Sequence, residues 1–289
     1  MQVLVQESTA MNTSELVQAL GVSRSGYYAH CRKPTRKRCV EDAVLAREIR
    51  QAFEAGRRVY GCPRILHALR RKNLRHGKNR IARLMRAQGC AVQQKRRYVP
   101  RTTLTAKDAP VAPNHLLDQP KPERLNQVWL TDITYLPTGE GWLYLAAEMD
   151  AHSRRILGWS THQSLATLLP TQALERALDT RHDAEFSKLL HHSDRGCQYT
   201  SEAFRHRLAL CGITQSMSRP ANCYDNAAME SFWASLKAEC FGPTIPATRA
   251  EARRMVFDYI ETFYNPTRLH SALGYLSPLE FERSLQLNN

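Results

Sequence analysis

The stretch of residues 127–162 reads QVWLTDITYLPTGEGWLYLAAEMDAHSRRILGWSTH and contains three runs of apolar, aromatic and β-branched residues. Such runs are typical of β-strands. The first two are separated by residues 138–141, TGEG, a short glycine-containing turn that favours a hairpin. The third run, RRILGWSTH (154–162), follows directly. The stretch therefore predicts three consecutive antiparallel strands.

Helices and strands alternate over the next hundred residues. Helical periodicity in TLLPTQALERALDTR (167–181) and in TSEAFRHRLALCG (200–212) flanks a short apolar strand, KLLHHSD (188–194). A last strand, ITQSMS (213–218), precedes two long helices that are predicted from about Asn226 and Thr248. The order βββαβαβα predicts an α/β fold of the ribonuclease H-like type, a mixed sheet with helices on both faces.

Three acidic residues lie at positions that this predicted topology brings together. Asp132 lies in the middle of the first strand, Asp194 ends the fourth, and Glu230 lies in the helix after the fifth, with 35 residues between Asp194 and Glu230. These places meet at one edge of the sheet, where open α/β folds bind ligands. A single acid would serve equally well as a helix cap or in a surface ion pair. Three acids at these positions favour a shared site.

Carboxylates that lie close together repel one another, and a bound cation relieves the repulsion. Hard oxygen ligands suit Mg²⁺ or Mn²⁺. Two such ions, held with DNA bound, activate the attacking oxygen and stabilise the leaving oxygen during displacement at phosphorus. The predicted chemistry is phosphodiester cleavage or transfer.

Other polar residues close to the three acids in the predicted fold are assigned roles other than metal ligation. Asp150 follows the second strand, where a turn role is favoured over metal ligation. His191 and His192 are adjacent on a strand, so at most one of them faces the site. Asp225 and Asn226 precede the helix of Glu230 and are predicted to cap and orient it.

Several aromatic and basic residues are candidates either for packing in the core or for contact with DNA. Trp129 is assigned to the core, as is Trp233, although Trp233 lies one helical turn from Glu230 and is also a candidate contact for a DNA end. Arg268 and His270, in YNPTRLHSALGY, either pack the C-terminal tail on the core or contact DNA.

The positive charge is concentrated in the N-terminal third of the chain. Residues 1–110 contain 24 Lys and Arg against 7 Asp and Glu, a net charge of +17, whereas residues 111–289 carry a net charge of −3. A surface this basic attracts a polyanion in a salt-sensitive manner. The alternative is a basic face that is merely solvated.

Residues 12–32, NTSELVQALGVSRSGYYAHCR, predict a helix, a glycine turn and a second helix capped by Ser23. This pattern fits a helix-turn-helix whose second helix faces DNA through Arg24, Ser25 and Tyr28. An ordinary αα-hairpin fits it equally well.

Further helices are predicted from about Glu41 to Ala55 and on either side of Gly77. In the last of them an apolar stripe packs inward while basic residues lie elsewhere on the helix. A basic run beside Tyr98 suits contact with a nucleic-acid backbone or base. The DNA-contact candidates in these segments are Lys78, Arg80, Arg83, Lys95, Arg96 and Arg97.

These patterns divide the chain into four regions. Residues 1–99 are predicted to form a basic, all-α DNA-binding region of helix-turn-helix type, and the proline-rich residues 100–123 a linker. Residues 124–265 are predicted to form the ribonuclease H-like core, and residues 266–289 a tail packed on it.

Composition excludes several other classes of protein. No apolar run is long enough to span a bilayer, and the first ten residues lack the features of a signal peptide, so a cytoplasmic protein without a membrane partner is expected. The eight cysteines form no C-x-x-C pair, so neither a zinc site nor a disulfide framework is predicted.

Four motifs carry a resemblance that covers essentially the whole chain. WLTDITYL, HSDRGCQYTS, SMSRPANCYDNAAMESFWASLKAE and YIETFYNPTRLHSALGYLSPLEFE closely resemble the OrfB transposase of the type-three insertion-sequence family, which is a group of DDE transposases related to retroviral integrases. The resemblance implies that Asp132, Asp194 and Glu230 are the catalytic and metal-binding DDE triad. It also implies that Lys237, seven residues after Glu230 on the same side of the helix, holds the element's terminal phosphate.

The same resemblance implies a function and partners. The enzyme would bind the double-stranded terminal inverted repeats, cut one strand at a 3′ end, and join the freed hydroxyl to other DNA. A homo-oligomer on DNA, a frameshift fusion to an upstream OrfA product, and a place at the bacterial nucleoid are expected. The zinc-binding HHCC module of retroviral integrases does not occur in this sequence.

Two other functions remain open from the sequence. One is a DNA-binding regulator from a decayed element, whose ribonuclease H-like domain is inert. The other is a ribonuclease H-like nuclease that hydrolyses DNA or RNA without strand transfer.

Overall fold

The computed structural model describes residues 13–31, 37–92, 112–117, 121–166, 168–218 and 226–287. Within these ranges the chain forms two compact units, one ending at Val92 and one beginning at Ala112. Most of the predicted linker lies outside the described residues. None of the described helices combines the length and apolar character needed to cross a bilayer.

The described part of the N-terminal unit is helical, as predicted. Its helices are α1 (Thr13–Ala19), α2 (Arg24–Cys31), α3 (Lys37–Ala55), α4 (Cys62–Arg71) and α5 (Lys78–Ala87). The Ser23 hydroxyl caps α2 by accepting a hydrogen bond from the Gly26 N–H at 3.1 Å. Helix α3 begins four residues before the predicted start because residues 37–40 contain no helix breaker. Helices α3, α4 and α5 share an apolar core: Leu45, Ile49, Phe53, Ile65, Leu69, Ile81, Leu84 and Met85.

A five-stranded sheet organises the C-terminal unit, in the order β3-β2-β1-β4-β5. The strands are β1 (Val128–Thr138), β2 (Gly141–Asp150), β3 (Ile156–His162), β4 (Leu190–Ser193) and β5 (Thr214–Met217). Strands β1, β2 and β3 are antiparallel, whereas β4 and β5 run parallel to β1. The pairing of β1 with β4 ends at Leu130, two residues before Asp132. The mixed sheet predicted from the sequence is confirmed.

Helices follow the strands in the predicted order. They are α6 (Leu168–Thr180), α7 (Glu202–Leu210), α8 (Ala227–Leu236), α9 (Arg249–Phe257) and α10 (Pro278–Leu287), with short helical turns at Cys197–Thr200 and Ser271–Leu273. Helices α8 and α9 each continue into a π-helical segment, Lys237–Phe241 and Asp258–Tyr264. Since π-helical turns change which side of a helix later residues face, they often occur at functional sites.

The two faces of the sheet have different coverings. Trp129 packs in a buried cluster with Leu174 of α6 and Leu208 of α7. Successive side chains of a strand alternate between faces, so Asp132, three residues from Trp129, points to the other face. There it meets Trp233 of α8. The face that carries Asp132 is therefore the one covered by α8.

The C-terminal segment is held on the sheet by buried ion pairs. The Glu282 carboxylate of α10 accepts hydrogen bonds from Ser153 Oγ at 2.7 Å and Arg155 Nη1 at 2.8 Å, and it also pairs with Arg181. Arg268, only 3 % exposed, donates two hydrogen bonds of 2.6 Å to Glu239. Arg268 thus takes the packing role rather than that of a DNA contact.

Candidate active site

Strand β1 presents Asp132 with both carboxylate oxygens engaged. Its Oδ1 accepts a hydrogen bond from the Ile133 N–H at 2.8 Å, and its Oδ2 accepts one from the Trp233 indole Nε1–H at 2.9 Å. The side chain is partly buried. These two donors fix the orientation of the carboxylate and connect β1 directly to α8.

Asp194 lies immediately after β4, at the same edge of the sheet. Its Oδ1 accepts a hydrogen bond from the Gly196 N–H at 2.9 Å. A Cβ added at Gly196 would lie 3.0 Å from that oxygen, so a larger residue would crowd the carboxylate. Glycine at position 196 therefore lets the backbone turn closely around Asp194.

Glu230 lies in the first turn of α8 and its side chain is exposed. The start of this helix is tied to β1, because the Asn226 side-chain amide donates a hydrogen bond to the Thr131 carbonyl at 3.2 Å. Asn226 occupies the N-cap position, but its side chain makes no capping hydrogen bond. The predicted side-chain cap is therefore replaced by a link to the strand. Asp225 lies outside the described residues.

The pKa of Asp132 responds to its burial and to the other two acids. Burial, followed by the negative charges of Asp194 and Glu230, raises this pKa to about 7, although the hydrogen bonds from Ile133 and Trp233 act in the opposite direction. Burial also raises the pKa of Asp194. A carboxyl that is half protonated near neutral pH, with two acids beside it, lies where a cation is favoured.

The donor chemistry of these residues fits a hard divalent ion, because all three supply carboxylate oxygens. Within the described ranges, no three Asp, Glu, His or Cys side chains already converge closely enough to hold a metal.

Lys237 directly follows α8, and its side chain contacts Tyr135 of β1. Its Nζ lies 5.0 Å from the centre of the Tyr135 ring, a cation–π contact. Tyr135 lies three residues beyond Asp132 on the strand. Lys237, at the start of the π-helical segment after α8, thus contacts the strand that carries the first acid.

The hydrogen bond between Trp233 and Asp132 was not predicted from the sequence. Its ring is buried, as predicted, yet its N–H is the donor that holds Asp132. The only signal for this role was its position one helical turn after Glu230. Trp129 belongs to the core and is fully buried.

The other polar candidates near the sheet have structural partners. Asp150 accepts hydrogen bonds from the backbone of Asn126, His152 and Ser153, which is the turn role expected for it. His191 and His192 are both buried. His191 pairs with Glu148 at 3.0 Å, and His192 contacts two serine hydroxyls, so both imidazoles have partners within the sheet region.

The DNA-contact candidates of the N-terminal unit fall into different groups. Lys78 and Tyr28 are exposed, the latter by 43 %, while Arg24 Nη2 donates to Ser14 Oγ at 2.6 Å. Arg80 and Arg83 both pair with Asp42, at 2.7 and 2.5 Å. These two ion pairs link α5 to α3, and the Arg83 side chain remains 51 % exposed. Lys95, Arg96 and Arg97 lie outside the described residues.

Family models match most of the described chain. An integrase core domain matches residues 122–223, and a second integrase core model matches residues 211–278. An HTH-like domain matches residues 40–98. That match spans α3, α4 and α5 rather than α1 and α2, which lie outside it.

Insertion-sequence proteins resemble the chain over nearly their whole length. A 31 kDa protein of insertion element IS600 from Shigella sonnei is 40 % identical over 92 % of this chain and 97 % of its own. The transposase of IS904 from Lactococcus lactis is 37 % identical over 87 % of this chain and 98 % of its own. Transposase InsF of IS3A from Escherichia coli is 37 % identical over 92 % of each chain.

Two solved retroviral structures show a limited structural similarity to this chain. The simian T-cell lymphotropic virus intasome in complex with PP2A regulatory subunit B56 gamma matches 71 % of this chain and 66 % of its own, with a TM-score of 0.45 and 13 % identity. The HTLV-2 integrase catalytic core domain in complex with magnesium matches 54 % of this chain and 95 % of its own, with a TM-score of 0.41 and 13 % identity. The matches to the integrase core models and to whole insertion-sequence proteins establish that the chain belongs to the IS3 family of transposases, DNA polynucleotidyl transferases with an integrase core and an HTH-like domain.

Proposed function

We propose that this transposase cleaves DNA at the 3′ ends of its insertion sequence and transfers the cut strand in a metal-dependent reaction, with Asp132, Asp194 and Glu230 as the metal-holding and catalytic residues. The observation that supports this assignment best is that Asp194 and Glu230 both act electrostatically on Asp132, whose pKa is raised to about 7 by burial and by the negative charges of these two acids. A divalent cation would neutralise that repulsion. The cofactor proposed is Mg²⁺ or Mn²⁺, with two ions when DNA is bound.

A divalent ion at this site would supply activation of the attacking oxygen and charge neutralisation at the scissile phosphate. The protein's own residues prepare the site. Trp233 and the Ile133 N–H orient Asp132, and Asn226 fixes the start of the helix that carries Glu230. Preorganised groups of this kind accelerate reactions by holding the reacting atoms in position.

Lys237 is proposed to bind a phosphate of the element's end. Its ammonium lies over Tyr135, near the acids, and an ammonium is a compact point charge suited to phosphate. With the phosphate held there, the hydroxyl of a cut 3′ end attacks phosphorus in line and the displaced oxygen leaves. The reaction needs no covalent bond between protein and DNA.

Recognition of the terminal inverted repeats is proposed for the basic N-terminal region, residues 1–99, joined to the core by residues 100–123. The HTH-like match and the local charge support it. The contact residues proposed are Arg24, Tyr28, Lys78, Arg80, Arg83, Lys95, Arg96 and Arg97. Since transposition pairs two DNA ends, we further propose a homo-oligomer on DNA, with OrfA as a fusion partner, acting at the nucleoid in the cytoplasm.

Glu230→Gln tests the catalytic assignment. The variant keeps the size of the side chain but loses the charge, so it is expected to bind duplex DNA like the wild type while nicking and joining fall to background. Full-length protein, Mg²⁺ and labelled duplexes with the element's ends are incubated, and nicked and joined strands are separated on a denaturing gel. Glu202→Gln is the matched control, an exposed first-turn glutamate on α7, across the sheet from α8.

Each outcome of this assay favours one function. Joined strands that depend on Glu230 support the transposase reaction. Nicks without joining by the wild type would support a nuclease, and DNA retardation without any chemistry would support the inert regulator. Near-wild-type activity of Glu230→Gln would refute the role given to the three acids.

A further inference from the structure

Two aromatic rings form an exposed pair at the β1–β2 hairpin. Tyr135 of β1 and Trp142 of β2 lie edge to face, with ring centres 5.0 Å apart and planes at 88°. Trp142 is 49 % exposed, although an indole of this size normally gains from burial. The interaction with Tyr135 orders the ring but leaves much of its surface open to a ligand.

A basic side chain contacts each residue of the aromatic pair. The Lys237 ammonium lies 5.0 Å from the centre of the Tyr135 ring. Arg249 Nε donates a hydrogen bond to the Trp142 backbone carbonyl at 3.1 Å, and the backbone N–H of Arg249 donates one to Glu140. We name Lys237, Tyr135, Trp142 and Arg249 the aromatic strip. Aromatic faces beside cations are the combination that binds unpaired nucleotides, because rings stack on bases while cations attract phosphates.

The aromatic strip begins close to the three acids. Tyr135 lies three positions after Asp132 on β1, about 10 Å along the strand. Because side chains alternate, Tyr135 points to the opposite face of β1, and the Lys237 ammonium after α8 reaches its ring. Helix α8 spans both places, since Trp233 contacts Asp132 and Lys237, one turn later, contacts Tyr135. Strand β4 pairs with β1 only as far as Leu130, so in the described part of the chain no strand pairs with that edge between the acids and the strip.

We propose that the aromatic strip stacks an unpaired base of the DNA strand that runs past the scissile phosphate. This inference rests on the proposed function, because it assigns a place to the strand next to the cut. Trp142 supplies the stacking surface, while Lys237 and Arg249 attract the phosphates on either side of the base. Stacking tolerates any base, so the strip acts on strand conformation and not on sequence.

The experiment measures stacking without chemistry. Full-length protein is mixed, in buffer without divalent metal, with duplexes that carry a short single-stranded overhang, and 2-aminopurine is placed either in the overhang or in the paired region. Stacking on an indole is expected to quench the overhang probe and leave the paired probe unchanged. Trp142→Ala should remove most of this quenching and weaken binding of the overhang duplex by about 5- to 100-fold, as expected for loss of one base-stacking contact.

Two variants serve as controls. Trp142→Phe keeps an aromatic face and is expected to retain overhang binding, whereas Phe257→Ala removes a similarly exposed ring, 55 % exposed on α9, and should behave like the wild type. Blunt duplex should bind equally to all of them. Circular dichroism checks that each variant is folded.

The proposal is overturned if the wild type quenches both probe positions equally or neither, a result that does not depend on any variant. It is also overturned if folded Trp142→Ala binds and quenches the overhang as well as the wild type does. Strand joining by the wild type in Mg²⁺ is scored separately. Absence of joining would refute the proposed function, whereas unchanged stacking in Trp142→Ala would refute only the aromatic strip.

Discussion

Asp132 should make the folded protein less stable as the pH rises, and Asp132→Asn should remove this dependence. The pKa of Asp132 is raised from 3.8 to about 7 in the folded chain. The folded state therefore keeps a proton that the unfolded state loses. Stability from this group is fully present below about pH 4 and is lost as the pH rises through 7.

The size of the effect follows from the shift. One pKa unit corresponds to about 1.4 kcal/mol, so a shift of about three units corresponds to roughly 4 kcal/mol in total. Between about pH 5 and 8, stability changes mainly over the two pH units below the folded pKa of about 7. The free energy of unfolding of the wild type should therefore fall by about 3 kcal/mol relative to that of Asp132→Asn. Asparagine also disturbs the hydrogen bond from Trp233, but that cost does not vary with pH and cancels when the two pH values are compared.

Urea unfolding at a series of pH values measures this difference. Tryptophan fluorescence is a suitable signal because all four tryptophans of the chain lie in the C-terminal unit. Glu175→Gln is the control: a hydrogen bond from Arg207 lowers the pKa of Glu175, so the group is ionised in both states above pH 5 and its variant should track the wild type. Added Mg²⁺ should stabilise the wild type more at about pH 8 than at pH 5, because only the ionised site attracts it.

A constant difference between the wild type and Asp132→Asn from about pH 5 to 8 would refute the reasoning. It would mean that Asp132 is not crowded by Asp194 and Glu230 in solution. Equal stabilisation by Mg²⁺ at both ends of the range would separately contradict the placement of the cation beside this carboxylate.

Three further variants test individual contacts within the C-terminal unit. Arg268→Met should lower the free energy of unfolding by about 3 to 5 kcal/mol, since it removes the guanidinium that pairs with the nearly buried Glu239 carboxylate. Arg207→Met, which breaks a more exposed ion pair, should cost less than about 1 kcal/mol, and equal costs in urea unfolding would contradict the buried-pair argument. Trp233→Phe keeps the ring but removes a hydrogen bond that lowers the pKa of Asp132, so the pH dependence of stability should extend to higher pH. A shift to lower pH would show that the indole does not hold this carboxylate.

Local patterns in the sequence were sufficient to predict the framework of the catalytic unit. A run of apolar, aromatic and β-branched residues around Asp132 predicted β1, and helical periodicity predicted α7, which the Ser201 hydroxyl caps by accepting a hydrogen bond from the Phe204 N–H. Helix α9 begins close to its predicted start, where Thr248 accepts a hydrogen bond from the Glu251 N–H. Such features depend on residues that lie within a few positions of one another, so they can be recognised before the chain is folded.

Contacts between distant residues could not be predicted in this way. Trp233 and Asp132 are 101 positions apart, and nothing in either local sequence indicates that an indole N–H will meet a carboxylate. Likewise, the basic character of Arg80 and Arg83 was evident, but their partner Asp42, 38 and 41 positions away, was not. A sequence shows which groups carry charge, whereas the fold decides which of them remain available to a ligand.

The pairing of Arg80 and Arg83 with Asp42 has a consequence for how salt affects DNA binding. Each phosphate contact releases condensed counterions, so the logarithm of the affinity falls with the logarithm of salt concentration by roughly 0.9 per contact. An arginine that already has a carboxylate as its counterion contributes little to this release. The net charge of +17 over residues 1–110 therefore overstates the number of ions exchanged, and the measured salt slope should count only the basic side chains that lack an acidic partner in the protein.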